Sequence, residues 1–160
     1  MKKVILFRHG KSLWETGVSD YERDISFIGE ERTEKSAKEL LRQLDFDIDI
    51  WYSSPALRAR RTAEIVASKF PYAVDINYDE KLYTFSFFDL LRFIKNLNND
   101  YQTAIFFGHN EAYTEFINRM GDDFQNNLPT SGVAIIAFDT DDWQELDKGK
   151  TISIIKPKKL

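Results

Sequence analysis

Three short segments of this 160-residue chain are almost unbroken apolar runs: KVILF at 3–7, TAIFF at 103–107 and VAIIAF at 133–138. Each is the length of a strand rather than a helix. A strand that is apolar on both alternating faces must be covered on both sides, so these runs call for a sheet buried between two layers.

The segments between them supply the covering. A helix is predicted over 28–44, with Ser26 placed to cap it and Ala37, Leu40, Leu41 and Leu44 on one face. IDIWY at 48–52 reads as a strand ending at Ser53-Ser54-Pro55. Pro55 suits the first turn of a helix over 56–70, which offers Leu57, Ala63, Ile65 and Val66 for packing and closes at Pro71. VDINY at 74–78 is a short third strand, and Ser86 with Asp89 has the spacing of a capping box for a helix over 87–98. A further helix is predicted over 110–120, stopping at Gly121, and TISIIK at 151–156 is expected to pair antiparallel with 133–138. Strands alternating with helices define an α/β protein, and no linker or repeat divides it, so one domain over 1–160 is expected.

Composition narrows the chemistry. The absence of cysteine excludes disulfides, thiolate metal sites and cysteine nucleophiles. A net charge of −4 gives no support to general nucleic-acid binding, so anion recognition has to come from a few placed cations. No apolar run approaches the ~20 residues of a membrane span, and the apolar part of the first seven residues is too short for a signal peptide. A cytoplasmic protein without membrane contact is expected. Lys156, Lys158 and Lys159 read as a solvated basic end.

Only two histidines are present, and each directly follows a buried strand: VILF-Arg8-His9-Gly10 and AIFF-Gly108-His109-Asn110. In open α/β sheets the ligand crevice lies at the carboxyl ends of strands, which makes one shared site the economical reading. The adjoining glycines would let a ligand approach the backbone. A catalytic zinc wants three protein ligands, and Arg8 beside His9 opposes a divalent cation. The same guanidinium suits phosphate. Arg58, in the first turn of the helix after the second strand, stands where free amides and the helix dipole favour an anion. Arg60 and Arg61 read as solvated or paired with acids such as Glu64.

Arg8-His9-Gly10, the Ser-Pro-x-x-Arg-Ala-x-x-Thr-Ala segment at 54–63 and Gly108-His109, in that order, resemble the histidine phosphatase (phosphoglycerate-mutase-like) superfamily. Lys11-Ser12-x-Trp14, Asn110, Leu128-Pro129-Thr130-Ser131-Gly132 and Trp143 are similar to the SixA-type phosphohistidine phosphatase branch. The resemblance implies a three-layer α/β/α sandwich around a mixed, mostly parallel six-stranded sheet without a large cap domain. It implies a metal-independent phosphatase with no cofactor, in which His9 attacks phosphorus to form a covalent phosphohistidine that water hydrolyses. Arg8, Arg58 and His109 would hold the phosphoryl oxygens, with Gly10 and Ser12 also binding substrate. The cations of Arg8 and Arg58 would lower the His9 pKa.

The general acid is open at this stage. Glu80 and Glu111 are the candidates, each with an alternative as a plain surface or helix-start charge. Without an acid, a phosphoramidate such as phosphohistidine is a better substrate than a stable ester, because its imidazole leaving group can arrive protonated. The implied partner is a phosphorylated protein or a small phosphorylated molecule. Two other readings stand beside phosphohistidine hydrolysis: a small-molecule phosphomonoesterase, and a phosphate- or phosphoprotein-binding module that does not catalyse. The aromatics Trp14, Tyr21, Tyr83 and Phe85 either rim the site or pack in the core.

Overall fold

A computed structural model describes all of residues 1–160. Six strands form one sheet: β1 (Lys2–Arg8), β2 (Ile50–Ser53), β3 (Ile76–Tyr78), β4 (Thr103–Gly108), β5 (Val133–Phe138) and β6 (Lys150–Ile155). Their order across the sheet is β3-β2-β4-β1-β5-β6. The first four are mutually parallel. β5 runs antiparallel to both β1 and β6, which makes the sheet mixed and sends β6 in the same direction as β1.

Alternation along the strands sorts the core into two halves. Val4, Leu6, Ala104, Phe106, Ala134 and Ile136 point to one face, where Leu90, Ile94, Phe116 and Ile117 cover them. The latter come from α3 (Phe87–Lys95) and α4 (Ala112–Met120). Ile5, Phe7, Ile105, Phe107, Val133 and Ile135 point to the other face, covered by Ala37, Leu40, Ala63 and Val66. These belong to α1 (Phe27–Gln43) and α2 (Leu57–Ser68). The result is the expected α/β/α sandwich, since a strand apolar on both faces leaves no side free for water.

Local signals hold at several element ends and shift at others. Ser26 Oγ accepts the Gly29 amide and caps α1. Ser86 Oγ accepts the Asp89 amide, but Asp89 does not return the bond; its carboxylate takes the Thr84 hydroxyl at 2.9 Å. Pro55 lies outside α2 rather than in its first turn, because Ser54 Oγ accepts the Ala56 amide and delays the helix to Leu57. α3 ends at Lys95, three residues early, where the Asn96 side chain donates to the Arg92 carbonyl.

Candidate active site

Three adjacent strands end at one edge. β1 delivers Arg8 and His9, its neighbour β4 delivers His109, and β2, on the far side of β4, leads through Ser53-Ser54 into Arg58. Register aligns them: Arg8 lies opposite Gly108, and Ser53 opposite Phe107. The two imidazoles stand 5.3 Å apart between ring centroids. A cavity of about 770 Å³ along α3 contains none of these groups.

His9 is buried and held at both ends. Its amide donates to the Gly108 carbonyl, and Nδ1 lies 2.8 Å from the Gly10 carbonyl. A carbonyl only accepts, so Nδ1 carries the proton and Nε2 of the neutral ring keeps its lone pair. Burial is the main force that pushes the His9 pKa down to about 3; the Gly10 bond opposes it, and Arg58, Arg8 and Arg23 add to it. The arginines thus act in the expected direction but rank behind desolvation.

Arg58 is almost wholly buried. Its Nη1 donates to the Asp20 carbonyl at 2.6 Å and its Nη2 to Asp20 Oδ2 at 3.0 Å. Arg23 reaches Asp20 Oδ1 at 3.0 Å, donates to Ser12 Oγ, and lies 3.8 Å from the centre of the Trp14 ring. The Tyr83 hydroxyl donates to Asp20 Oδ2. Desolvation would raise the Asp20 pKa, but the bonds from Tyr83, Arg23 and Arg58 prevail and hold it well below the usual carboxylate range. Asp20 is therefore a fixed anion that gathers two arginines.

Arg8 donates from Nη1 to the Leu128 carbonyl at 2.7 Å. Its pKa is lowered by burial, against the pull of Glu111. His109 Nε2 is 2.8 Å from Ser54 Oγ. Burial first, then His9 and Arg58, push the His109 pKa down to about 2. Five buried side-chain polar atoms have no hydrogen-bond partner, and four of them belong here: Arg8 Nε, Arg23 Nε, Arg58 Nε and His109 Nδ1. Buried polar atoms without partners are costly, and three of these belong to the arginines whose charge acts on His9.

As expected, Arg61 is paired with acids, here Asp24 and Glu30, and Arg60 is exposed, lying over the Tyr78 ring. The two glycines serve packing against the protein itself: a Cβ on Gly10 would meet Thr33 Oγ1 at 2.9 Å, and one on Gly108 would meet the Tyr113 hydroxyl at 2.6 Å. Of the acid candidates, Glu80 is exposed and accepts from the Tyr21 hydroxyl at 3.1 Å. Glu111 is exposed at the start of α4. No hydrogen bond ties either to His9 or His109. The Ser12 hydroxyl oxygen accepts from Arg23, and its own proton is left to donate. Tyr83 and Phe85 both stand edge-on to His109 at 5.4 Å, so these aromatics line the site, and Trp14 is exposed above Arg23. Asp20 and Arg23 are the residues that sequence reasoning left out of the site. Their only signal was a charged cluster in the first loop.

An α/β sandwich whose strand edge holds a neutral histidine among cationic donors defines a class of proteins built to handle phosphoryl groups. Residues 4–121 match the model of the histidine phosphatase superfamily (branch 1), and the chain belongs to that superfamily. The protein histidine phosphatase SixA in complex with tungstate superposes with a TM-score of 0.82 at 19% identity, with 98% of each chain covered. The SixA protein of Agrobacterium tumefaciens, assigned as a phosphohistidine phosphatase, gives 0.80 at 24% identity, again over 98% of each chain. At these identities the likeness is one of fold. An Arabidopsis thaliana protein assigned as 2-carboxy-D-arabinitol-1-phosphatase is 33% identical over 96 residues, which are 57% of this chain and 19% of that protein. The chain thus spans about a fifth of that relative's length. No helix is long and apolar enough to cross a membrane.

Proposed function

We propose that the protein hydrolyses a phosphoryl group through a covalent intermediate on His9, and that its substrate is phosphohistidine carried by another protein. The observation that carries the reading is the His9 Nδ1 bond to the Gly10 carbonyl, which leaves Nε2 as the nucleophile. Nε2 forms a bond to phosphorus as the substrate's P–N bond breaks, and the substrate imidazole departs neutral with its other nitrogen protonated. The phosphorylated His9 ring is then an imidazolium, stabilised by the same Gly10 carbonyl. Water attacks phosphorus, the His9 P–N bond breaks, and inorganic phosphate leaves.

Arg8, Arg58 and Arg23 offer fixed positive charge to the phosphoryl oxygens. The Ser54 hydroxyl already accepts the Ala56 amide, so its own proton is available to His109 Nε2. His109 Nδ1 then carries a proton and can donate it in a hydrogen bond to a phosphoryl oxygen. Gly10 and Ser12 act at one remove, through His9 and Arg23. Residues 1–160 act as one catalytic unit, since the edge of a single sheet gathers every group.

Support for a P–N bond comes from the carboxylates. Asp20, the acid nearest the cations, is held ionised and has no proton for an alkoxide leaving group. The test is a side-by-side assay of a phosphohistidine protein and a panel of stable phosphomonoesters, with acid-quench trapping of the enzyme. The expected result is faster turnover of phosphohistidine and an acid-labile phosphate on His9. His9→Ala should lose turnover by on the order of 10³-fold or more. Comparable rates on stable esters would instead make it a small-molecule phosphatase, and turnover without the label would remove His9 as nucleophile.

A further inference from the structure

Beside the phosphoryl pocket lies a second cavity, of about 330 Å³, that shares Arg8 with it. Its other charged walls are Lys11, Arg32 and Lys158, and no acidic residue lines it. Asn127 and Thr130 add neutral polar groups. This is a local inversion of charge in a protein whose net charge is −4.

The fold explains why residues so far apart in sequence meet. Lys11 follows Gly10, and its carbonyl accepts both the amide and the hydroxyl of Ser26, which brings the start of α1 and then Arg32 alongside. Thr130 precedes Ser131, whose amide donates to the Arg8 and His9 carbonyls. β6 runs parallel to β1 and ends at the same edge, so the turn Pro157–Lys159 returns Lys158 to the catalytic side. Lys158 is exposed there, as expected of a solvated basic end, and it also lines the cavity.

Lys11, Arg32 and Lys158 form no salt bridge. Arg61, by contrast, is neutralised by Asp24 and Glu30. Like charges kept together without counter-ions raise local anion concentration and favour a ligand that neutralises them. Arg8 joins the two cavities, so an anion here lies one arginine side chain from the reacting phosphorus.

We propose that this cavity is a subsite for a second anionic group of the substrate, a carboxylate or a phosphate, bound while the scissile phosphoryl sits at His9. The assignment rests on the reading of His9 as phosphoryl acceptor. It explains how an enzyme without a deep lid selects its substrate: two anions at a set separation are required, not one.

The test uses phosphonates, which are not turned over, so it is separable from the catalytic reading. Calorimetry compares an alkylphosphonate with its ω-carboxylate and its bisphosphonate analogues, over a series of chain lengths. At least one doubly anionic member should bind the wild type about tenfold more tightly than the monophosphonate, and the gain should shrink in salt. Arg32→Glu and Lys158→Glu, tested separately, should each remove most of that gain with little change in melting temperature. A gain confined to the carboxylate identifies an acidic side chain as the natural anchor; one confined to the bisphosphonate identifies a second phosphate. Equal affinities across each series, or a gain that survives both charge reversals, would overturn the subsite. Failure to trap phosphate on His9 would strike only the catalytic reading.

Discussion

The hydrogen bond from His9 Nδ1 to the Gly10 carbonyl decides which nitrogen can react, and it does so before any substrate arrives. A histidine with two equivalent tautomers would spend part of its time with the wrong nitrogen protonated. Here the choice is made by a carbonyl one residue away, and burial keeps the ring neutral. Nitrogen-15 NMR of the imidazoles should therefore show His9 as a single Nδ1–H tautomer across neutral and mildly acidic pH. A fast-exchanging mixture, or an Nε2–H form, would contradict the proposed nucleophile. Arg58 makes the complementary point about charge. Asp20 holds both of its Nη groups, so the fork is fixed in direction before it meets an anion. Arg58→Ala should lower kcat/KM by on the order of 10²–10³-fold, the usual cost of removing one transition-state donor.

At the scale of elements, the loop after β1 and the start of α1 are built against each other. A Cβ on Gly10 would press on Thr33 Oγ1 at 2.9 Å and on the Gly29 carbonyl at 3.1 Å, both in α1. Thr33 in turn is bonded to Ser131 Oγ at 2.8 Å, in the loop that carries the amide to His9. Gly10→Ala should destabilise the fold by about 1–3 kcal/mol through overpacking. It should also lower turnover, because the displaced loop contains the Gly10 carbonyl; urea unfolding and kcat measured on the same sample check both. These contacts mark the boundary of what the chain reveals by inspection. The strands announce themselves through runs such as VILF and AIFF, and two histidines at strand ends follow from the same pattern. Arg58 was legible because a helix start is a local feature. Asp20 and Arg23 lie in a loop without periodicity, and only the folded chain shows that they meet Arg58 and Ser12. The packing role of the glycines was not legible, because their neighbours come from α1 and α4, which no local pattern names. The basic cavity draws on four separated segments and was invisible for the same cause.

For the molecule as a whole, the two histidines set the response to acid, because no others are present. In the fold, burial pushes His9 down to about 3 and His109 to about 2 from an ordinary 6.5. Below pH 6.5 the unfolded chain protonates both imidazoles while the folded one does not, so unfolding takes up two protons. Stability is fully present above the unfolded pKa and is lost as pH falls toward the folded values. Each histidine contributes a slope of about 1.4 kcal/mol per pH unit in that window, or about 2.7 together. Asp20, whose ordinary value is 3.8, loses its stabilising ionisation only at lower pH, so the first stretch of the decline belongs to the histidines. Denaturant titrations at stepped pH should show this decline, and His109→Gln should roughly halve it. A flat profile between neutral pH and the carboxylate range would mean that the imidazoles are not buried and neutral as described. Bound phosphate works in the opposite direction. Its charge favours a protonated His109 inside the fold, so the folded complex takes up a proton that the free protein refuses. Inorganic phosphate at one fixed concentration should accordingly flatten the acid slope in the wild type, and do so less when Arg58→Ala weakens the site that holds it.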